Sequence, residues 1–281
     1  MRLLSREVPD SFTLDLLGDA HIGSVGCHFG GLVRWMDSIQ GRDDALWANL
    51  GDTCDAICTD DKRFVFNKDV ALPIQQADDA VALFRPVASQ CVAWLEGNHE
   101  FKLHRFGDYT RDLLCKPLRV PFGGYVCKVA LRDQAGPILK VFLWHGPIRG
   151  SVTSNAKDFQ QRQANMKATV RRYLENKASD CAVMAFGHTH KLLVVEPAAR
   201  LLMDDNGAAI QHRYLEAPLG SERYLEPDRR WYGNTGSYLR SQMLDQDSYA
   251  ELAGYDPIEL GHLRVTVQDR RLVSVDRVVA P

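Results

Sequence analysis

The chain is 281 residues long, 45% hydrophobic and 25% charged, with a formal net charge of −2. Such a composition suits a water-soluble protein with a sizeable core, and it lacks the basic footprint that nucleic-acid binders usually carry. No apolar run approaches the ~20 residues needed to cross a bilayer. The N-terminal Met1-Arg2-Leu3-Leu4-Ser5-Arg6-Glu7 has no sustained apolar stretch of the signal-peptide kind, so the cytoplasm is the expected compartment.

Short apolar runs recur along the chain, each followed by a turn rich in Gly, Asp, Asn or His. Residues 12–17 run into Gly18-Asp19, and 46–50 into Gly51-Asp52. Residues 91–95 lead through Glu96 into Gly97-Asn98-His99, 138–144 into His145-Gly146, and 181–186 into Gly187-His188. Apolar residues on both faces of runs this short suit central strands covered on both sides. Helical stripes lie between them. Leu32, Trp35/Met36 and Ile39 form one, with Gly41 as its stop. Ala77, Ala80/Val81, Phe84 and Val87 form a second, ended or bent by Pro86. Phe159, Met166, Val170 and Tyr173/Leu174 form a third. Residues 125–131 and 138–144, joined by Asp133-Gln134-Ala135-Gly136-Pro137, read as a hairpin. After residue 190 strand-like runs dominate, at 192–195, 208–215, 263–267 and 272–279, the last two as another hairpin. The pattern predicts an α/β protein with two sheets sharing one core. With no repeat and no linker, one domain over 1–281 is expected, its strand-rich part being 191–281. Residues 220–230, with Pro227 and mixed charges, are expected to form a long exposed loop.

Cysteines stand at seven positions without regular pairing. Cys91, Cys127 and Cys181 lie in apolar runs and read as small buried hydrophobes. Cys54 and Cys58 lack the second Cys/His pair of a structural zinc site.

The five turns present Asp, Asn and His, the donors that a divalent transition metal takes from a rigid scaffold. Asp19 and His21 are two apart, so on an extended segment they point the same way. His188 and His190 share that spacing, although ligands just past a strand can also diverge toward neighbouring metals. Asp52 follows a glycine that frees the backbone to turn, and its carboxylate could bridge two metals. Asn98 offers a hard carbonyl oxygen. Its neighbour His99 diverges from it and is free to act as a general acid or electrostatic clamp.

In this order the segments resemble the calcineurin-like metallophosphoesterase superfamily. Its pattern is Asp-x-His, Gly-Asp-x-x-Asp, Gly-Asn-His-Asp/Glu, a lone His often beside Gly, and Gly-His-x-His. The resemblance runs through residues 18–190 and implies a four-layer α/β/β/α sandwich with a dinuclear centre. By that resemblance one metal takes Asp19, His21, Asp52 and His190, and the other takes Asp52, Asn98, His145 and His188, with Asp52 bridging. His99 is then the catalytic residue outside the metal ligands, oriented by Asp55. The implied activity is phosphoester hydrolysis by a metal-bridging hydroxide attacking phosphorus in line, His99 assisting the leaving group. The implied cofactors are two divalent transition metal ions, manganese first, with iron, zinc, cobalt and nickel also compatible with these donors.

One departure bears on the substrate. In the protein Ser/Thr phosphatase branch an Arg and a Gly follow the second Asp of Gly-Asp-x-x-Asp. Here Ala56-Ile57 follow Asp55, so that branch is not expected and another cation must hold phosphate. Lys102, Arg105 and Arg149 are candidates, with His28 and His104 as neutral donors. Gly233-Asn234-Thr235-Gly236-Ser237 resembles the Asn-Pro-Gly-Ser turn of small bacterial and archaeal phosphodiesterases. Both features lean weakly toward phosphodiesters. Phosphomonoesterase, nuclease and a non-catalytic metal-binding scaffold stand as alternatives. Nucleic acid as a partner is not indicated by the charge, and Arg162, Lys167, Arg171, Arg172 and Lys177 read as a solvated helix face.

Overall fold

The five apolar runs become strands in the computed structural model, which describes residues 1–58, 60–61, 72–198, 201–214, 223–243, 251, 254 and 256–280. In chain order the first half contains strands β1 (Arg2–Glu7), β2 (Phe12–Leu17), β3 (Ala45–Asn49), β4 (Cys91–Leu95), β5 (Phe122–Gly124), β6 (Val126–Asp133) and β7 (Gly136–Trp144). The second half contains β8 (Val183–Phe186), β9 (Leu192–Val195), β10 (Leu201–Asp205), β11 (Ile210–Tyr214), β12 (Trp231–Thr235), β13 (Gly261–Gln268) and β14 (Arg271–Val279). The helices are α1 (Phe29–Ile39), α2 (Pro73–Phe84), α3 (Asn98–Phe101), α4 (Lys116–Leu118) and α5 (Phe159–Leu174). Two six-stranded mixed sheets result, in the orders β1-β6-β7-β8-β12-β9 and β14-β13-β2-β3-β4-β5, and β10 and β11 form a separate hairpin. Among the described residues no helix is long and apolar enough to cross a membrane.

Period-2 patterning explains the layering. Leu14 and Leu16 of β2, Leu46 and Ala48 of β3, Val141 and Leu143 of β7, and Val183 and Ala185 of β8 pack together between the sheets. The alternate residues face outward. Trp47 of β3 and Trp94 of β4 meet Leu32, Trp35 and Ile39 of α1 and Ala80 and Phe84 of α2. Phe142, Met184 and Phe186 meet Val170 and Leu174 of α5. The three clusters are the three interfaces of an α/β/β/α sandwich.

The local signals act as chemistry requires. Helix α2 ends at Phe84, and Pro86 sits in the tight turn Arg85–Gln90 that follows. Asp158 caps α5, its side chain accepting from the Gln161 amide at 2.7 Å. The expected hairpins form as β6–β7 and β13–β14, both antiparallel. The 208–215 run becomes β11, with Leu215 outside the described residues. The 220–230 segment departs from the exposed loop anticipated. Residues 220–222 lie outside the described residues, but Leu225 and Arg230 are buried. The Arg230 side chain donates to the Leu225 carbonyl and, at 2.8 Å, to that of Glu175, which ties the segment to the end of α5. All seven cysteines are free, and Cys54, Cys91, Cys115, Cys127 and Cys181 are buried.

Candidate metal centre

Strands β2, β3 and β4 run parallel to one another, and so do β7 and β8. The five turns therefore lie at carboxyl ends of strands, the end at which open α/β sheets place their ligands. Backbone bonds knit these turns together. The Asp19 amide donates to Gly51 O at 2.9 Å, His21 N to Asp52 O at 3.0 Å, and Gly187 N to His145 O at 2.9 Å. Asp19, His21, Asp52, His188 and His190 all adopt left-handed backbone angles, with φ of 54°, 49°, 48°, 66° and 54°. Non-glycine residues pay for that conformation, and such strain gathers at functional sites.

The side chains converge in two linked groups. Asp19, His21 and His190 form one, and Asp52, His145 and His188 the other. Asp52 also stands with His21 and His99, and within each set the donor atoms lie within 4.8 Å of one another. His190 Nε2 is 3.3 Å from Asp19 Oδ1 and 3.3 Å from His21 Nε2. His145 Nε2 is 3.0 Å from Asn98 Oδ1 and 3.4 Å from Asp52 Oδ2. The seven residues expected to hold metal are thus brought into one site, with Asp52 between the groups.

Ring tautomers point the lone pairs inward. His145 Nδ1 donates to the Leu50 carbonyl at 2.7 Å, so its Nε2 faces the oxygens of Asn98 and Asp52. His21 Nδ1 is 3.1 Å from Asp55 Oδ1, which leaves its Nε2 facing His190 Nε2. Acceptors facing acceptors need a cation between them, either a proton or a metal. Protonation is what the metal-free electrostatics favour. Burial pushes His145 down, but the Asp52 carboxylate beside it prevails and lifts it to about 9. Burial likewise opposes the charge on His21, yet Asp55, Asp52 and Asp19 raise it. Burial raises Asp52, but His145 and His99 hold it well below the usual carboxylate range. Burial and the His145 charge together lower His188.

Four buried hydroxyls in or against these turns, those of Thr53, Tyr125, Thr189 and Thr235, have no hydrogen-bond partner. Native interiors pair such groups, so a cluster of orphans around inward lone pairs fits a polar centre completed by bound ions and water. The donor set of carboxylate, carboxamide and imidazole suits divalent transition metals.

Asp55 stands between two rings. Its carboxylate lies 3.1 Å from His21 Nδ1 and 3.8 Å from His99 Nδ1. His99 Nδ1 donates instead to the Asp55 backbone carbonyl at 2.5 Å, and His99 Nε2 faces Asp52 Oδ2 at 4.0 Å. Three of the candidate phosphate holders are engaged by carboxylates. Lys102 pairs with Asp61 at 3.0 Å and Arg105 with Asp60 at 2.7 Å, while His104 meets Glu96 at 2.6 Å. Arg149 is exposed. His28 is buried between Arg34 and Arg240.

Three positioning residues had motif neighbours in the sequence but no assigned role. Buried Glu100, fourth in Gly97-Asn98-His99-Glu100, accepts from the amides of Asp52, Cys54 and Gly97 at 3.1, 3.0 and 3.0 Å. Burial and the nearby Asp52 charge raise it to about 7. Asn234 accepts from the Lys191 amide at 2.9 Å and donates to the Phe186 and Gly187 carbonyls at 3.0 and 2.9 Å, clamping the His188–His190 turn. Ser237 Oγ donates to the Asp19 carbonyl at 2.8 Å. The Gly233–Ser237 run, readable as a tight turn, is half strand β12 and half clamp on both histidine turns. No protein-family model matches the sequence, and no curated protein is significantly similar to it.

Proposed function

We propose that the chain is a dinuclear metal-dependent phosphoester hydrolase of the calcineurin-like metallophosphoesterase kind, folded as one domain, with a weak preference for phosphodiesters. The observation that carries this reading is the pair of Asp/His groups, Asp19/His21/His190 and Asp52/His145/His188, linked through the set of His21, Asp52 and His99. Asp19, His21, Asp52 and His190 would hold one ion, and Asp52, Asn98, His145 and His188 the other. Two bound divalent cations, manganese first among the candidates, supply an acidified water and offset the charge that builds on a phosphoryl group.

The chain's own groups divide the remaining work. Asp55 O holds the Nδ1 proton of His99, so Nε2 is the atom turned toward the centre. A proton carried there can pass to the leaving oxygen, which makes His99 the general acid. The Asp55 carboxylate holds the Nδ1 side of the His21 ring, leaving Nε2 for a metal, and stands near Nδ1 of His99. Glu100 fixes the backbone that aims Asp52, and the buried setting of the site keeps these charges strong.

The test is turnover of bis-p-nitrophenyl phosphate and p-nitrophenyl phosphate by purified protein with added Mn²⁺. Activity is expected to vanish on chelation and in Asp52→Asn, with calorimetry showing the loss of at least one bound ion in the variant. Metal-loaded wild-type protein inert toward every ester in a broad phosphoester panel would refute the assignment.

A further inference from the structure

A further cluster of metal-type donors stands outside the two groups linked through Asp52. Glu96, His104 and Asp108 each offer one donor atom, and these atoms lie within 4.8 Å of one another. Glu96 directly follows β4, and His104 belongs to the tight turn Lys102–Phe106. Gly107 then turns the chain with a φ of 131°, a conformation that favours glycine, and Asp108 follows it.

Glu96 is only 4% exposed, and burying a charge is costly unless it is paired. Its Oε1 meets His104 Nε2 at 2.6 Å and accepts from Thr110 Oγ1 at 3.4 Å. Among the described residues its Oε2 has no hydrogen-bond partner. The His104 ring neutralises Glu96 only while it is protonated. Asp108 brings a second carboxylate. Its oxygens accept from Arg111 N at 3.0 Å and Arg111 Nε at 3.2 Å, and Arg111 Nε is shared with Asp112 at 3.3 Å. Each Asp108 oxygen keeps a second lone pair, and carboxylates that bind metals are commonly steadied by such bonds. The Phe101 ring packs on the His104 ring with centroids 4.8 Å apart. The His104 side chain is 40% exposed, which leaves an ion a path in from solvent.

We infer that Glu96, His104 and Asp108 form a separate binding site for a divalent transition metal ion of the zinc class. One imidazole and two carboxylates suit such an ion, whereas calcium and magnesium favour all-oxygen sets. The ion takes the place of the proton between His104 Nε2 and Glu96 Oε1. That proton moves to Nδ1 when the ring starts neutral and to solvent when it starts charged. Bonds of ~2.0–2.2 Å to zinc set neighbouring donors of a tetrahedral site about 3.3 Å apart. The pair at 2.6 Å must therefore open by less than about 1 Å, a movement open to a side chain as exposed as His104. Three protein ligands leave the fourth position to water. The ion would clip residues 104–108 to the end of β4, two residues ahead of Asn98, and so brace the Gly97-Asn98-His99 turn.

Metal counting after dialysis against Zn²⁺ tests the site. The wild type should hold one Zn²⁺ per chain more than His104→Ala, and one more than His104→Gln, which keeps a hydrogen-bond donor for Glu96. Equal counts overturn the site. Asp52→Asn should still hold a Zn²⁺ that the double variant Asp52→Asn/His104→Ala lacks. If single and double variants hold the same number, the ion belongs to the Asp52 centre and no separate site exists. If Asp52→Asn holds every ion that the wild type holds, the dinuclear reading fails while the His104 site stands. A spectroscopic signature completes the test. With Co²⁺ in place of Zn²⁺, His104→Cys should show a thiolate-to-cobalt charge-transfer band that the wild type lacks, and absence of that band also overturns the assignment.

Discussion

Replacing Gly97 by Ala isolates how tightly the fold packs against Asp52. The backbone at Gly97 has φ −97° and ψ 178°, extended angles that alanine adopts without strain. Space is what alanine lacks. A Cβ there would stand 2.0 Å from Asp52 Oδ1 and 2.1 Å from the Asp52 amide nitrogen. An ordinary carbon–oxygen contact is about 3.3 Å, so Asp52 or the Gly97 turn must move by more than about 1 Å. Both are held, since Glu100 binds the amides of Gly97 and Asp52, and Asp52 Oδ1 accepts from His99 N at 2.8 Å. Overpacking of this kind costs about 1–3 kcal/mol of stability. A misplacement of ~1 Å in a reacting constellation costs roughly 10²-fold in rate. Calorimetry should show Mn²⁺ affinity falling by about tenfold or more, the scale seen when ligand supports are disturbed. Phosphodiester turnover should drop further, and urea unfolding in EDTA should show the smaller loss. Gly41→Ala is the control. Its φ of +76° imposes backbone strain with nothing within 4 Å, so it should lower stability by about 1 kcal/mol and leave Mn²⁺ affinity unchanged. A Gly97→Ala protein that binds Mn²⁺ and turns over substrate like the wild type would show that Gly97 does not abut the Asp52 carboxylate.

Two further predictions concern the supports of the site. Asn234→Ala strips the Lys191 amide of its acceptor and two buried carbonyls of a donor, at about 1–3 kcal/mol for each group left unpaired. Mn²⁺ affinity measured by calorimetry should fall by about 10–100-fold, and unchanged affinity would remove Asn234 from the support of the His188–His190 turn. Asp15 is buried on β2, where Arg264 grips it with bonds of 2.7 and 2.7 Å and Trp35 Nε1 donates at 2.8 Å. Burial raises its pKa, but Arg264 and His262 outweigh burial and hold it well below the ordinary carboxylate value of 3.8. Its contribution to stability is therefore whole above that value and is lost as pH falls through the folded-state pKa. The stability gap between wild type and Asp15→Asn should stay level from pH 7 to about pH 5 and narrow below about pH 4. A gap that widens on acidification would contradict the pairing.

What the sequence disclosed depended on how each element is covered. Strands β2, β3, β4, β7 and β8 were legible because layers on both sides leave them mostly apolar residues on both faces. β1 was not, because it is an edge strand with an almost wholly exposed pattern, and its Arg2-Leu3-Leu4-Ser5-Arg6-Glu7 lacks alternation. β12 was hidden for the opposite reason. It lies between β8 and β9, and its Gly233 packs where a Cβ would come within 2.3 Å of Leu263 Cδ1, so a central strand carries the composition of a turn. The residues gathered at the centre could be named from spacing and resemblance, since their chemistry is local. Their supports could not, because Asn234 acts on residue 191 and Ser237 on residue 19, and such pairings exist only after folding.

The left-handed backbone at the candidate ligands has its own thermodynamic consequence. Asp19, His21, Asp52, His188 and His190 each occupy a conformation that costs an L-residue about 1–2 kcal/mol. Glycine would remove that cost, but it would also remove the Asp19 and Asp52 oxygens that accept from His188 N and His99 N and every side chain that could hold an ion. A bound ion would offset that strain, because an ion bound only by the folded state stabilises it. His190, at φ 54°, separates the two contributions. His190→Ala and His190→Gly both delete the ligand, but only glycine relaxes the backbone. In EDTA, urea unfolding should find His190→Gly more stable than His190→Ala by about 1 kcal/mol, even though glycine ordinarily loses more chain entropy on folding. With Mn²⁺ present the wild type should gain stability and both variants should gain less. Equal stabilities for the two variants in EDTA would mean that residue 190 bears no left-handed strain, and the link between strain and ligand at this centre would fail.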